Sequence, residues 1–290
     1  MDKNNGELCM VCPVLYEEAM DKLYSTDGAD YRLLHPKKLT SYKKAKYKGT
    51  DLLDEINSQE IPRQRSKGSA ADVIGAWKQF YKTQGWGKLA RFDPKGRLGV
   101  PYCLFKAKNI IDPATRDAKW YKARPITPTF HHPMKRLMHM VGKAWYFIAR
   151  KMKGEHFIIE KTSDVPRFLE RARAHFGEDE YEAKVLDIEG CFPNMPKEKI
   201  RHAMLELVRD ARDEGHAGVS VPTRSKKLQC SWKKLDGGFR WLSFEVLLGV
   251  LHFSLSQAIC QRRDGRILLQ ILGIPMGDAL SPGMTIGTCG

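Results

Sequence analysis

The chain has 290 residues, a hydrophobic fraction of 42% and a formal net charge of +15. That length allows a large core, in one big domain or two sub-domains, and no stretch reaches the apolar length of a membrane span. The polar, acidic start, Met1-Asp2-Lys3-Asn4-Asn5-Gly6-Glu7, is neither a secretory signal nor an Arg-rich transit peptide, so the expectation is an intracellular protein, nuclear or cytoplasmic, with no membrane partner.

The charge points to a polyanionic partner, most simply nucleic acid, although a solvated basic surface gives the same total. Its distribution is uneven: Lys37, Lys38, Lys43, Lys44, Lys46 and Lys48 run without an acid until Asp51, and Tyr42 and Tyr47 sit between them. Such rings can stack on bases, and a flexible tail or linker has the same composition. The seven cysteines are scattered, and their odd number without a signal peptide implies reduced thiols. Cys9 and Cys12 form a Cys-x-x-Cys, but no second pair stands at zinc-finger spacing, so coincidence on a helix face is the default over a zinc site.

Residues 1–95 are expected to be a basic N-terminal extension, partly disordered, with a linker over Ser58–Ser69. Val73, Trp77 and Phe80 recur at helical spacing and predict a helix over Ala70–Thr83, ended by Gly85-Trp86-Gly87. From Val100 the pattern changes. Tyr102–Ile111 alternates as a strand, Asp112-Pro113-Ala114 is turn chemistry, and Lys119–Ile126 reads as the return strand of a β-hairpin with a basic tip. A helix opens at His132-Pro133 and runs to about Lys151, with Leu137, Val141, Trp145 and Ile148 inward. No carboxylate or cysteine completes a metal set around His131, His132 and His139, which read as surface or core histidines.

Ser163 is the expected N-cap of a helix through Phe176. Ala183–Asp187 makes a short strand that ends in an acid. Pro196 starts a helix with Ile200, Met204, Leu207 and Val208 inward, and glycine and basic residues between Asp213 and Gly238 mark a loop or insertion. Trp241–Cys260 reads as one long buried helix. After Arg263-Asp264-Gly265-Arg266 come a strand over Ile267–Gln270, a tight turn from Gly273 to Gly277 and a helix near Ser281, where Pro282 suits a first turn. Repeats and low-complexity tracts are absent from the sequence.

Two of these segments carry chemistry. In Val185–Pro196, Asp187 ends a buried strand before a sharp turn, which presents its carboxylate together with the Ile188 carbonyl. Hard Mg²⁺ takes such oxygen ligands, and nucleotidyl transfer uses divalent metals. On its own, Asp187 is an ordinary acid at a strand–turn junction. The stretch Asp187-Ile188-Glu189-Gly190-Cys191-Phe192, however, resembles motif A of the reverse-transcriptase palm. In that family the aromatic at the position of Phe192 lies under the sugar of the incoming nucleotide and collides with a ribose 2′-hydroxyl. RNA polymerases that copy RNA usually carry a second Asp there.

The other segment, Gly273-x-Pro275-x-Gly277-x-x-x-Ser281-Pro282, resembles motif B of the same family, whose turn supports the templating base and the nascent pair. Met276 replaces the Gln that many members carry, which bears on the subfamily more than on the function. Lys119-Trp120-Tyr121-Lys122-Ala123-Arg124-Pro125-Ile126 resembles the fingers motif whose Arg contacts the triphosphate. The resemblance assigns that role to Arg124, with Lys106 or Lys108 helping to neutralise phosphate.

The likeness covers residues 96–290 and implies an α+β right-hand polymerase, reverse-transcriptase-like, with fingers and an incomplete palm sheet, mostly helical. The implied activity is that of a retroelement RNA-directed DNA polymerase, extending a primer with deoxynucleoside triphosphates. It implies Asp187 as catalytic residue; Asp187 and Ile188 as ligands of a two-Mg²⁺ site; Arg124, Lys106, Ile188, Phe192 and Gly277 at the nucleotide; and Gly273, Pro275, Met276, Ser281 and Pro282 at the template and primer. The implied partners are an RNA template, a DNA or RNA primer and a deoxynucleoside triphosphate. No Tyr-x-Asp-Asp of motif C occurs, and Glu178-Asp179-Glu180 precedes motif A and does not replace it. Either motif C and the thumb follow Gly290 or the chain is a truncated retroelement remnant, and the chain alone is expected to be inactive. The alternatives are a non-catalytic RNA-binding remnant and an RNA-templated RNA polymerase.

Overall fold

The computed structural model of the chain describes residues 12–28, 30–34, 69–105, 123–151, 162–177, 191–223 and 229–289. In chain order the first elements are α1 (Pro13–Leu23), β1 (Tyr31–Leu33), α2 (Ala70–Thr83), β2 (Tyr102–Phe105), β3 (Ala123–Ile126), α3 (Lys135–Arg150) and α4 (Val165–Phe176). Then follow α5 (Cys191–Asn194), α6 (Lys197–Asp213), β4 (Gly218–Pro222), β5 (Phe239–Ser243), α7 (Phe244–Ser256), β6 (Ile259–Gln261), β7 (Ile267–Gln270) and α8 (Ser281–Cys289). The architecture is mixed α+β, helices predominating, with small antiparallel sheets.

Helix α2 begins on a capping box: the Ser69 hydroxyl accepts the Asp72 N–H, and the Asp72 carboxylate accepts the Ser69 N–H at 2.7 Å. It buries Val73, Ala76, Trp77, Phe80 and Tyr81, one stripe of a 3.6-residue period. Trp77 stacks on His132 with ring centroids 4.5 Å apart, meets Phe253 edge-on and donates from Nε1 to Gln257 Oε1 at 3.0 Å. Residues on both sides of position 95 thus share one core with α3, α6 and α7.

Helices α3 and α6 bury the residues their periodicity predicts: Leu137, Val141, Trp145 and Ile148 on one, Ile200, Met204, Leu207 and Val208 on the other. Helix α8 lies against both along a seam of glycines. A Cβ at Gly142 would fall 2.2 Å from the Ala279 carbonyl oxygen, one at Gly283 2.8 Å from Trp145 Cβ, and one at Gly287 2.8 Å from the Met204 sulfur. No helix among the described residues is long and apolar enough to cross a membrane.

The strands order as β1–β7–β6, β2–β3 and β4–β5. The predicted hairpin pairs Tyr102 with Ile126 and Leu104 with Arg124, so these four share its outer face, while Cys103, Phe105 and Ala123 pack inward. Beneath it lies a second, smaller core of Ala19, Met20, Tyr24, Tyr31, Cys103, Cys260 and Leu268. The Tyr24 hydroxyl reaches the carbonyls of Tyr102 at 3.2 Å and Ile126 at 3.1 Å, and burial pushes its pKa up. Arg262 pins α1 from the other side, pairing with Asp21 at 2.6 Å and Asp264 at 3.3 Å.

Three expectations are corrected. The predicted helix over Trp241–Cys260 is only α7: Phe239–Ser243 pairs with β4, Ser243 caps the helix in an extended conformation, and Ile259–Gln261 pairs with β7. The run is apolar and buried in either state, so periodicity had nothing to separate strand from helix. The expected loop between Asp213 and Gly238 contains strand β4, buried along its whole length, whose terminal Gly218 and Pro222 look like turn residues. Ser163 is not the cap of α4; it lies inside a 3₁₀ turn, Thr162–Asp164, and Asp164 immediately precedes the helix. The basic run after Lys37, most of the linker, Cys9, the tip of the hairpin and the strand ending at Asp187 lie outside the described residues.

Candidate functional site

Residues 273–277 leave β7 as a turn whose backbone touches two other elements. Gly273 has φ +79°, and a Cβ there would sit 2.4 Å from the Pro193 carbonyl oxygen and 2.5 Å from that of Phe192. Any side chain would collide with α5 and strain the backbone at once. The contact is also hydrogen-bonded: Ile274 N–H donates to the Phe192 carbonyl at 2.7 Å, and Gly273 N–H to the Met195 carbonyl at 3.1 Å. Helix α5 and the turn are therefore one backbone unit.

On its other side the turn meets the chain leaving the hairpin. Thr127 N–H donates to the Met276 carbonyl at 2.8 Å, and Thr129 Oγ1 to the Gly277 carbonyl at 2.9 Å. Gly277 has φ +106°, and a Cβ there would be 3.0 Å from the Thr127 carbonyl oxygen. Arg124, half-buried on β3 opposite Leu104, precedes Thr127 closely in sequence. Phe192 and Thr127, the latter just past Arg124 in sequence, are thus tied together through the turn's own peptide groups.

The remaining predicted residues divide by exposure. Gly273, Pro275 and Ser281 are buried, Met276 and Phe192 partly so, and Gly277 and Pro282 exposed. Ser281 donates its hydroxyl to the Pro275 carbonyl at 2.6 Å, so its hydrogen bond shapes the turn from within. The Phe192 ring packs partly against the main core. Asp187, Ile188 and Lys106 lie outside the described residues. Among the described residues no group of three His, Cys, Asp or Glu stands together as a metal site.

Sequence reasoning passed over two supporting side chains. Asp278, directly after the turn, is buried; its carboxylate accepts the Ser254 hydroxyl at 2.5 Å and the Leu280 N–H at 3.0 Å. Burial pushes its pKa up, and its oxygens are engaged in joining α7 to the start of α8. Lys197, at the start of α6, donates to the carbonyls of Leu255 and Gln270 at 2.5 Å each, clamping the ends of α7 and β7 just ahead of the turn. Burial, with Arg201 adding like charge, holds its ammonium down at about 7. Arg201, one helical turn on, donates to Ser256 Oγ at 3.2 Å and pairs with Glu198. Neither residue could be found by periodicity, because each acts on carbonyls or hydroxyls far away in sequence.

No family model matches the chain, and no curated protein matches it. Among solved structures, a telomerase from Candida tropicalis in complex with the TWJ fragment of telomeric RNA is similar at a TM-score of 0.41 and 10% sequence identity. The likeness spans 74% of this chain and 36% of that one, so this chain corresponds to about a third of that telomerase's length.

Proposed function

We propose that the chain carries the fingers and part of the palm of an RNA-directed DNA polymerase of a retroelement, which extends a primer by attack of its 3′-hydroxyl on a deoxynucleoside triphosphate. The observation that best supports this reading is the double attachment of the turn 273–277, to the backbone of Phe192 on one side and to Thr127, just past Arg124, on the other. Template copying requires a phosphate grip, a check on the sugar and a smooth support for the new base pair, all within reach of one nucleotide.

In this reading Arg124 holds phosphate oxygens with its planar fork, and Lys106 adds charge beside it. Phe192 blocks the space a ribose 2′-hydroxyl would fill. Gly277, exposed and lacking a side chain, lets a base pair lie against backbone, while Gly273, Pro275, Met276, Ser281 and Pro282 set the surface under template and primer. Asp187 and the Ile188 carbonyl would hold Mg²⁺, which when bound supplies charge neutralisation for the leaving pyrophosphate.

Primer extension on an RNA template, run with the chain and with the longest protein that contains it, tests the reading. The expected result is extension by the longer protein alone, which Asp187→Ala abolishes and Phe192→Ala shifts toward ribonucleotides. Retained extension in Asp187→Ala refutes the assignment. RNA binding with no extension in any form leaves a non-catalytic RNA-binding protein, and a wild-type preference for ribonucleotides leaves an RNA-templated RNA polymerase.

A further inference from the structure

Between the hairpin and α3 runs a short segment, residues 127–133, whose backbone is tied down on both sides of two exposed rings, Phe130 and His131. Thr127 and Pro128 are buried against the turn, and Thr129 is bonded to the Gly277 carbonyl. His132 is buried beneath Trp77, its Nδ1 accepting the Met134 N–H at 3.1 Å, and burial holds its imidazole neutral with a pKa of about 3. Phe130 lies between these anchors and remains 57% exposed. Its ring leans against that of exposed His131, with centroids 4.4 Å apart and the planes inclined by 53°.

Residues 93–99 line this segment in the opposite direction. Asp93 N–H donates to the Pro133 carbonyl at 2.8 Å, Arg97 N–H to the His131 carbonyl at 2.9 Å, and a Cβ on Gly99 would fall 2.0 Å from the Pro128 carbonyl oxygen. The lining loop carries exposed Lys95 and Arg97, and the first turn of α3 adds exposed Lys135 and Arg136. Among the described residues none of these four makes an ion pair with a carboxylate. The acid of this loop, Asp93, uses Oδ1 to accept the Lys95 N–H at 2.9 Å.

We infer that Phe130 and His131 form a stacking platform for an unpaired nucleobase, taking single-stranded RNA whose backbone runs past Lys95, Arg97, Lys135 and Arg136. A large apolar ring on a backbone anchored on both sides costs little backbone ordering when a base lies on it, and every base offers a flat face. The surrounding cations suit a phosphate backbone and disfavour an acidic-poor, apolar protein face. The platform adjoins the exposed Gly277 through Thr129, which places it beside the turn. Only the identity of that strand as the template rests on the polymerase reading.

The test is fluorescence anisotropy of a labelled single-stranded RNA with the full chain, alongside quenching of 2-aminopurine placed in the same RNA. Phe130→Ala is expected to weaken binding about tenfold, as loss of one stacked base does, and to abolish the quenching. Phe130→Trp restores both, and Phe130→Ala keeps the wild-type melting temperature because the ring is exposed. Affinity within twofold of wild type in Phe130→Ala overturns the platform. So does an equal loss toward duplex RNA, which offers no free base face, or a Phe130-dependent self-association in sedimentation. A wild-type chain that does not bind RNA overturns both the platform and the polymerase reading, whereas Phe130-dependent RNA binding without primer extension removes the polymerase reading alone.

Discussion

The turn 273–277 and the β2–β3 hairpin border the same candidate site and are held in opposite ways. The turn is fixed by peptide groups: its N–H and carbonyl groups bond to α5 on one side and to residues 127 and 129 on the other, and two of its residues stand at positive φ. The hairpin rests on a small second core and shows Tyr102 and Leu104 to solvent at 37% and 44% exposure. Geometry that must not move is built from backbone, where side-chain exchange has little effect unless a glycine is lost. Surface that meets a partner is built from side chains, where exchange alters binding more than folding.

The sharpest way to break this contrast is at Gly273. Gly273→Ala brings a methyl group into the carbonyls of Phe192 and Pro193 at a residue with φ +79°. Left-handed strain and the collision together should cost about 4 kcal/mol in urea denaturation. A loss below about 1 kcal/mol would mean the turn yields easily. Ser281→Ala removes the hydroxyl from the Pro275 carbonyl and should cost about 1 kcal/mol by the same measurement.

Lys197 adds a pH-dependent test. Its folded pKa of about 7 lies below the unfolded value of 10.5, so between these the unfolded chain binds the proton the folded chain releases. Stability therefore rises with pH above about 7, by no more than about 1.4 kcal/mol per unit, and the full penalty remains below it. Lys197→Met should be less stable near pH 9 and lack this rise between pH 7 and 9, which denaturation at a series of pH values would reveal. The smallest effect belongs to the hairpin: Leu104→Thr should change stability by under about 0.5 kcal/mol, because Leu104 is exposed. A larger loss would show that the outer face is packed.

What the sequence revealed follows the same division. Helices α2, α3 and α6 were legible because one stripe of each is apolar and the rest is not. Gly273 and Gly277 were legible because a glycine–proline turn announces unusual backbone angles, which both adopt. The ends of α7 were not, since Trp241–Cys260 is almost uniformly buried whichever state it takes. Asp278, Lys197 and Phe130 escaped notice for a different reason. Each gains its role from a partner brought in by the fold: Ser254, the carbonyls of Leu255 and Gln270, and the segment bonded to Gly277.

The glycine seam under α8 bears on mechanics. Where most helix pairs meet through a deformable layer of interleaved side chains, Gly142 and Gly283 bring main chain or a Cβ within touching distance on the α3 side, whereas Gly287 meets the mobile ends of Met204 and Leu207 on α6. The α3 side of the junction has no cushion. A displacement of the turn is therefore expected to pass along α8 into α3 more directly than into α6, where the Met204 and Leu207 side chains can yield.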